Sequence, residues 1–284
     1  MSDLWTAELS SGIVEYVDTG GDGPVVVFLH GLLMDRTLWD EVIPSLSARF
    51  RCIAPTLPLG AHRHPLTNQG GLSLDGLAAT VVELLDRLGL DRVTLVGNDT
   101  GGALAQVVVR HYPDRIDRLV LASCEAFDNF PPGLTGRTIV TAGRLPPALF
   151  GVFMQQLRLR VVRRSPIAFG WLTQRGDPVV RGWLDPVLHD AAVRRDAVQL
   201  LRSLAKARPT LAAASENLAK FDRPALVIWA ADDKVMPPDH GRRLADLLPQ
   251  GRLTVIPNSY TLLPLDQPIE FANAVEAFLC QPAS

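Results

Sequence analysis

The chain has 284 residues, 47% of them apolar, and a formal net charge of −2. That composition suffices for a packed core and excludes a disordered chain, and the near-neutral charge argues against nucleic acid as a partner. No uninterrupted apolar run approaches the roughly 20 residues of a membrane span, and no charged-then-apolar leader opens the sequence.

The first third alternates strand and helix signals. Val25–Leu29 is a continuous apolar run, as expected of a strand buried on both faces. Helical spacing over Leu38–Phe50 follows, then a strand at Arg51–Ala54 that stops at Pro55. Ser73 is placed to cap a helix running to Leu88, and Gly89 to end it. Val93–Val96 is the next buried strand, followed by a glycine-rich turn, a helix over Gly102–His111 and a strand at Arg118–Ala122.

Alternation then stops. From Glu125 to Lys220 the pattern is helical and repeatedly broken by proline; after Pro224 strands return at Ala225–Trp229 and Arg252–Ile256, with helices near Asp239–Leu248 and Ile269–Leu279. Such alternation predicts an α/β protein with a mainly parallel sheet flanked by helices. The expected organisation is a core over 1–124, a helical cap or lid over 125–220, and the rest of the core over 221–284. Residues 125–220 carry 14 Lys/Arg against 7 Asp/Glu, whereas the remainder carries 14 against 23. Either arginines coat solvated helix faces there, or a basic lid covers an anionic substrate. Three scattered cysteines, Cys52, Cys124 and Cys280, suit a reducing compartment, so a cytoplasmic location is expected.

The turn Val96-Gly97-Asn98-Asp99-Thr100-Gly101-Gly102 lies between a strand and a helix. It resembles the nucleophile elbow of the α/β-hydrolase fold, G-x-nucleophile-x-G, with Asp99 in the nucleophile slot. His30-Gly31-Leu32-Leu33 is similar to that family's His-Gly loop, which implies oxyanion donors at the backbone N–H groups of Leu32 and Thr100. Ala231–Pro237 resembles the loop that presents the triad acid, implying that role for Asp233. The stretch around Tyr260-Thr261, before Asp266-Gln267-Pro268, resembles the loop that carries the catalytic histidine. Asp-nucleophile relatives include haloalkane dehalogenases and epoxide hydrolases, so the resemblance implies an α/β-hydrolase enzyme acting on a small-molecule substrate, without cofactor.

At the histidine position stands Thr261, and no histidine follows His240. An ester on an aspartate needs a base to activate water, and a threonine hydroxyl cannot serve near neutrality. His62, His64 and His189 are candidate substitutes or exposed residues; His111 reads as structural and His240 as exposed. Glu125, with Asp128 close by, stands where some haloalkane dehalogenases draw their triad acid and could share a proton with Asp99. A metal site from Asp99, Glu125 and Asp233 lacks supporting His or Cys spacing, so none is expected. The resemblance's usual helpers are also absent: Thr100 and Leu32 stand where dehalogenases place halide donors, and the insertion has no tyrosine. Of Tyr16, Tyr112 and Tyr260, Tyr260 is the one placed to reach the site, from the altered histidine loop; Trp171, Trp183, Phe130, Phe150, Phe153 and Met154 of the insertion are candidate cavity walls, or else lid core. Three functions remain open: a hydrolase using Asp99, a non-hydrolytic isomerase, lyase or cyclase with Asp99 as general base, or a binding protein.

Overall fold

The computed structural model describes residues 3–281. One sheet contains β1 (Leu4–Leu9), β2 (Gly12–Asp18), β3 (Val25–Leu29), β4 (Arg51–Thr56), β5 (Val93–Asn98), β6 (Ile116–Ala122), β7 (Ala225–Ala230) and β8 (Gly251–Ile256). Their order is β1-β2-β4-β3-β5-β6-β7-β8. β2 is antiparallel to both its neighbours, and all other pairs are parallel. The central apolar runs are buried on both faces because helices cover both.

The helices are α1 (Ile43–Leu46), α2 (Leu74–Arg87), α3 (Thr100–His111), α4 (Gly133–Ala142), α5 (Pro147–Gln155), α6 (Arg160–Arg163), α7 (Asp177–His189), α8 (Ala191–Leu204), α9 (Arg208–Asn217), α10 (Pro238–Leu247), α11 (Leu263–Asp266) and α12 (Pro268–Leu279). None of them is long and apolar enough to cross a membrane. Ser73 caps α2 by accepting the Gly76 N–H at 3.1 Å, and Gly89 ends the helix at φ +67°.

Two sequence expectations need correction. The single helix over Leu38–Phe50 is instead a 3-10 turn at Arg36–Trp39 followed by the one-turn α1. Pro44 cannot donate within a continuous helix and sits in the first turn of α1. The β1–β2 hairpin was not expected. At this sheet edge Leu4, Trp5 and Ile13 are exposed while Ala7, Leu9, Val14, Tyr16 and Val17 are buried, which leaves a weak pattern.

Between β6 and β7 lie α4 to α9, with proline in the first turn of α5, α7 and α9, where its missing N–H costs nothing. The α9 helix packs on α3. Gln106 of α3 joins them: its Oε1 accepts from Ser215 Oγ at 2.7 Å, and its Nε2 donates to the Glu125 carbonyl at 2.8 Å. The inserted helices are thereby fastened to the helix that begins at the elbow.

On the opposite side of the sequence, Trp39 is fully buried, with ring centroids 5.1 Å from Phe28 and 5.8 Å from Phe271. Its indole N–H has no hydrogen-bond partner. Trp39→Ala is therefore expected to cost about 3–5 kcal/mol in urea unfolding. Trp39→Phe should cost markedly less, because no hydrogen bond is lost.

Candidate active site

Parallel pairing of β5 with β6 sets Asn98 beside Ala122, so the segments that leave the two strands emerge side by side. Asp99 follows β5 at φ 55° and ψ −132°, a conformation that costs a non-glycine residue about 1–3 kcal/mol. Neighbouring glycines make room for it. A Cβ on Gly31 would lie 2.3 Å from Asp99 Oδ1, and one on Gly101 would lie 2.1 Å from the Leu29 carbonyl oxygen. Asn98 ties the turn down, donating to the carbonyls of Ala122 at 2.9 Å and Thr261 at 2.8 Å.

The Asp99 carboxyl is buried. Its Oδ1 accepts from the Leu32 N–H at 3.3 Å and from the Thr100 hydroxyl at 3.1 Å. Burial raises its pKa to about 6, against the lowering effect of the Thr100 and Leu32 amides. Glu125, equally buried, lies 2.9 Å from the same Thr100 hydroxyl through Oε1, and its Oε2 has no partner. Burial, then repulsion by Asp99, pushes Glu125 well above the usual carboxyl range. That hydroxyl bridge between two acids was the feature least visible in the sequence.

Asp233 and Thr261 form a second pair. Asp233 Oδ1 accepts from the amides of Val235 and Met236 at 2.9 and 2.8 Å and from the Thr261 hydroxyl at 2.8 Å. Burial raises the pKa of Asp233, with those two amides opposing the shift.

Asp99, Thr100 and Glu125 line the floor of a cavity of about 720 Å³, counting the space at its mouth. The walls are apolar: Leu32, Phe130, Ile139, Phe153, Ile167 and Phe169 are among them. No histidine, lysine, arginine, tyrosine or tryptophan is among the described lining residues. The cavity's charged groups are acidic, so the insertion's arginines do not form a basic roof over it.

Several sequence candidates lie elsewhere. The His30 side chain is fully buried, and the Leu57 N–H donates to its Nε2 at 2.8 Å, which puts the ring proton on Nδ1, facing the Gly31 carbonyl at 2.9 Å. Burial lowers its pKa to about 4. It shapes the loop and does not line the cavity. Trp183 is buried within the inserted helices, its indole N–H donating to Thr37 Oγ1 at 2.8 Å and its ring against Phe169. Neither it nor Trp171, Phe150 or Met154 lines the cavity, whereas Phe130 and Phe153 do. Tyr260 lies under the Lys234 ammonium, 4.3 Å from ring centroid to Nζ, and is also outside the lining.

The candidate substitute histidines are engaged away from Asp99. His62 is buried, 3.4 Å from Asp196 of α8; His64 pairs with Glu15 at 3.2 Å; His189 lies 2.6 Å from Arg158. His240, expected to be exposed, is buried edge-on against Phe127. Among the described residues no group of three His, Cys, Asp or Glu side chains is arranged to hold a metal ion.

Residues 24–268 match the family profile described as alpha/beta hydrolase fold. The chain belongs to the α/β-hydrolase fold family. A relative is haloalkane dehalogenase 2 of Mycobacterium tuberculosis, 28% identical over 270 residues, covering 94% of this chain and 91% of the relative. Another is the 2-hydroxy-6-oxononadienedioate/2-hydroxy-6-oxononatrienedioate hydrolase of Cupriavidus pinatubonensis, 28% identical over 247 residues, covering 84% of this chain and 80% of the relative. Two solved structures share the fold. The enol-lactonase of Burkholderia xenovorans superposes with a TM-score of 0.76 at 20% identity, covering 97% of this chain and 100% of that one. An ancestral haloalkane dehalogenase gives 0.76 at 24% identity, covering 96% of each chain.

The elbow carboxyl makes stability depend on pH. A carboxyl with a raised folded-state pKa stabilises the fold while protonated, below about pH 4, and loses that contribution as pH rises through about 6. Asp99→Asn removes the titration. In urea unfolding it is expected to exceed the wild type by about 3 kcal/mol near pH 8, and the gap should close near pH 4.

Proposed function

We propose that this α/β-hydrolase-fold protein hydrolyses a small, largely apolar substrate, with the Asp99 carboxylate as nucleophile. The observation that carries this reading is the way Asp99 is held. Its Oδ1 faces the Leu32 amide and the Thr100 hydroxyl at the floor of an apolar cavity. In the first step Asp99 Oδ2 attacks carbon and forms an ester. Water then attacks Cγ of that ester, and negative charge develops on Oδ1, where the Leu32 and Thr100 N–H groups act as oxyanion donors. Each such donor contributes roughly 10²–10³-fold to the rate.

In this reading the inserted helices 125–220 act as a cap that supplies the apolar walls and excludes water. Asp233 and Thr261 have a supporting task. Thr261 occupies the loop where the family resemblance puts imidazole, but its hydroxyl is engaged with Asp233 and has no basicity near neutrality. The pair joins the loop after β7 to the loop after β8 and so steadies the wall behind Asp99.

One observation favours a second reading. The described lining contains no imidazole, and a carboxylate with a pKa of about 6 is suited to general-base work near neutrality. Asp99 would then remove a proton from carbon in an isomerase-, lyase- or cyclase-type reaction, with the same amides stabilising the enolate.

Turnover of small apolar epoxides, alkyl halides and esters in ¹⁸O-labelled heavy water separates the two. The nucleophile reading requires label in the peptide that contains Asp99, and loss of about 10⁴-fold or more in turnover on Asp99→Asn. Solvent deuterium in the product, with no label in that peptide, would establish the general base instead. Saturable binding with unchanged ligand would leave a binding protein.

A further inference from the structure

Asp99 hydrolysis chemistry leaves Glu125 without a task, although it is buried on the floor of the same cavity. The Thr100 hydroxyl lies 3.1 Å from Asp99 Oδ1 and 2.9 Å from Glu125 Oε1. A hydroxyl carries one hydrogen, so it donates to one carboxyl and accepts from the other. Both contacts are satisfied only if one of the acids is protonated. Asp99 Oδ1 also accepts from the Leu32 N–H at 3.3 Å, a donor that favours its ionised form, whereas Glu125 Oε2 has no donor among the described residues, so the proton belongs on Glu125. The Gln106 amide fixes the backbone of Glu125 at 2.8 Å, and Oε2 remains unpartnered.

We propose that Glu125 performs the proton transfers at this site, as acid towards the leaving group and then as base towards water, and that the preferred substrate therefore leaves through oxygen. This inference rests on Asp99 acting as the nucleophile. As Asp99 Oδ2 bonds to a ring carbon of a strained cyclic ether, the carbon–oxygen bond breaks, its electron pair stays on oxygen, and that oxygen takes the Glu125 proton. Esterification removes the charge on Asp99 and with it the repulsion that kept Glu125 protonated. The Thr100 hydroxyl then donates to Glu125. In the second step Glu125 accepts a proton from water as the water oxygen attacks Cγ. Collapse of the intermediate expels the alcohol oxygen, which takes the proton from the newly formed carboxyl. Asp99 returns ionised and Glu125 protonated. The division of labour is that of a retaining glycosidase, in which one carboxylate is nucleophile and its neighbour acid, then base. Among the described lining residues no indole or amide side chain could hold a departing halide, which also favours oxygen.

The test compares wild type, Glu125→Gln and Glu125→Asp on hexene oxide and hexyl bromide, by intact mass and by pH profile. Bromide needs no proton to leave. Glu125→Gln should therefore take up the hexyl group on Asp99, which also reports a folded site, but clear the ester at least about 100-fold more slowly. With hexene oxide the formation of the ester should itself slow at least about 100-fold. The fall in wild-type activity at high pH should vanish in Glu125→Gln and persist, at lower rate, in Glu125→Asp. Clearance and ring opening by Glu125→Gln at wild-type rates would overturn the role of Glu125 while leaving Asp99 as nucleophile. No adduct on Asp99 in any of the proteins would overturn both.

Discussion

Two carboxyl groups and one hydroxyl hydrogen meet on a buried floor beneath apolar walls. An apolar surround makes the second negative charge expensive, and the Thr100 hydroxyl can satisfy only one ionised neighbour at a time. On the proposed reading the pair Asp99–Glu125 shares a single proton near neutrality. The proposed chemistry depends on that restriction: one oxygen nucleophile and one acid arise from two residues that would both be anionic in water. Environment, more than residue type, separates their roles.

The scaffold sustains this arrangement at some cost in stability. Asp99 sits at positive φ, and the close approach of Gly31 and Gly101 leaves no room for side chains there. Asn98 and Gln106 return some of the loss by fastening the elbow and the Glu125 segment to neighbouring backbone. Through Ser215 the same network reaches α9, so the inserted helices and the two buried carboxyls are mechanically joined. Local strain supported by buried hydrogen bonds is the usual arrangement for a preorganised site.

Much of the fold could be read from the chain because its signals are local. Continuous apolar runs marked the central strands, Ser73 and Gly89 bounded α2, and the glycines around Asp99 announced a turn with no space for Cβ atoms. The α1 region misled because its periodicity ignored Pro44, and the β1–β2 hairpin lay at a half-exposed edge. The site was less legible, since its contacts span long stretches of chain. Thr100 and Glu125 are brought together by the β5–β6 register, which no local pattern reveals. Trp183 and His62 carry the residue types of a ligand wall and a base, yet packing against Phe169 and pairing with Asp196 take them elsewhere.

The count of protons between Asp99 and Glu125 is the most direct check. Neutron diffraction from a deuterium-exchanged crystal near neutral pH would show it. A deuteron on Glu125, with the Thr100 deuteron directed at Asp99, is the expected result. Two bare carboxylates, or a protonated Asp99 beside an ionised Glu125, would contradict the account.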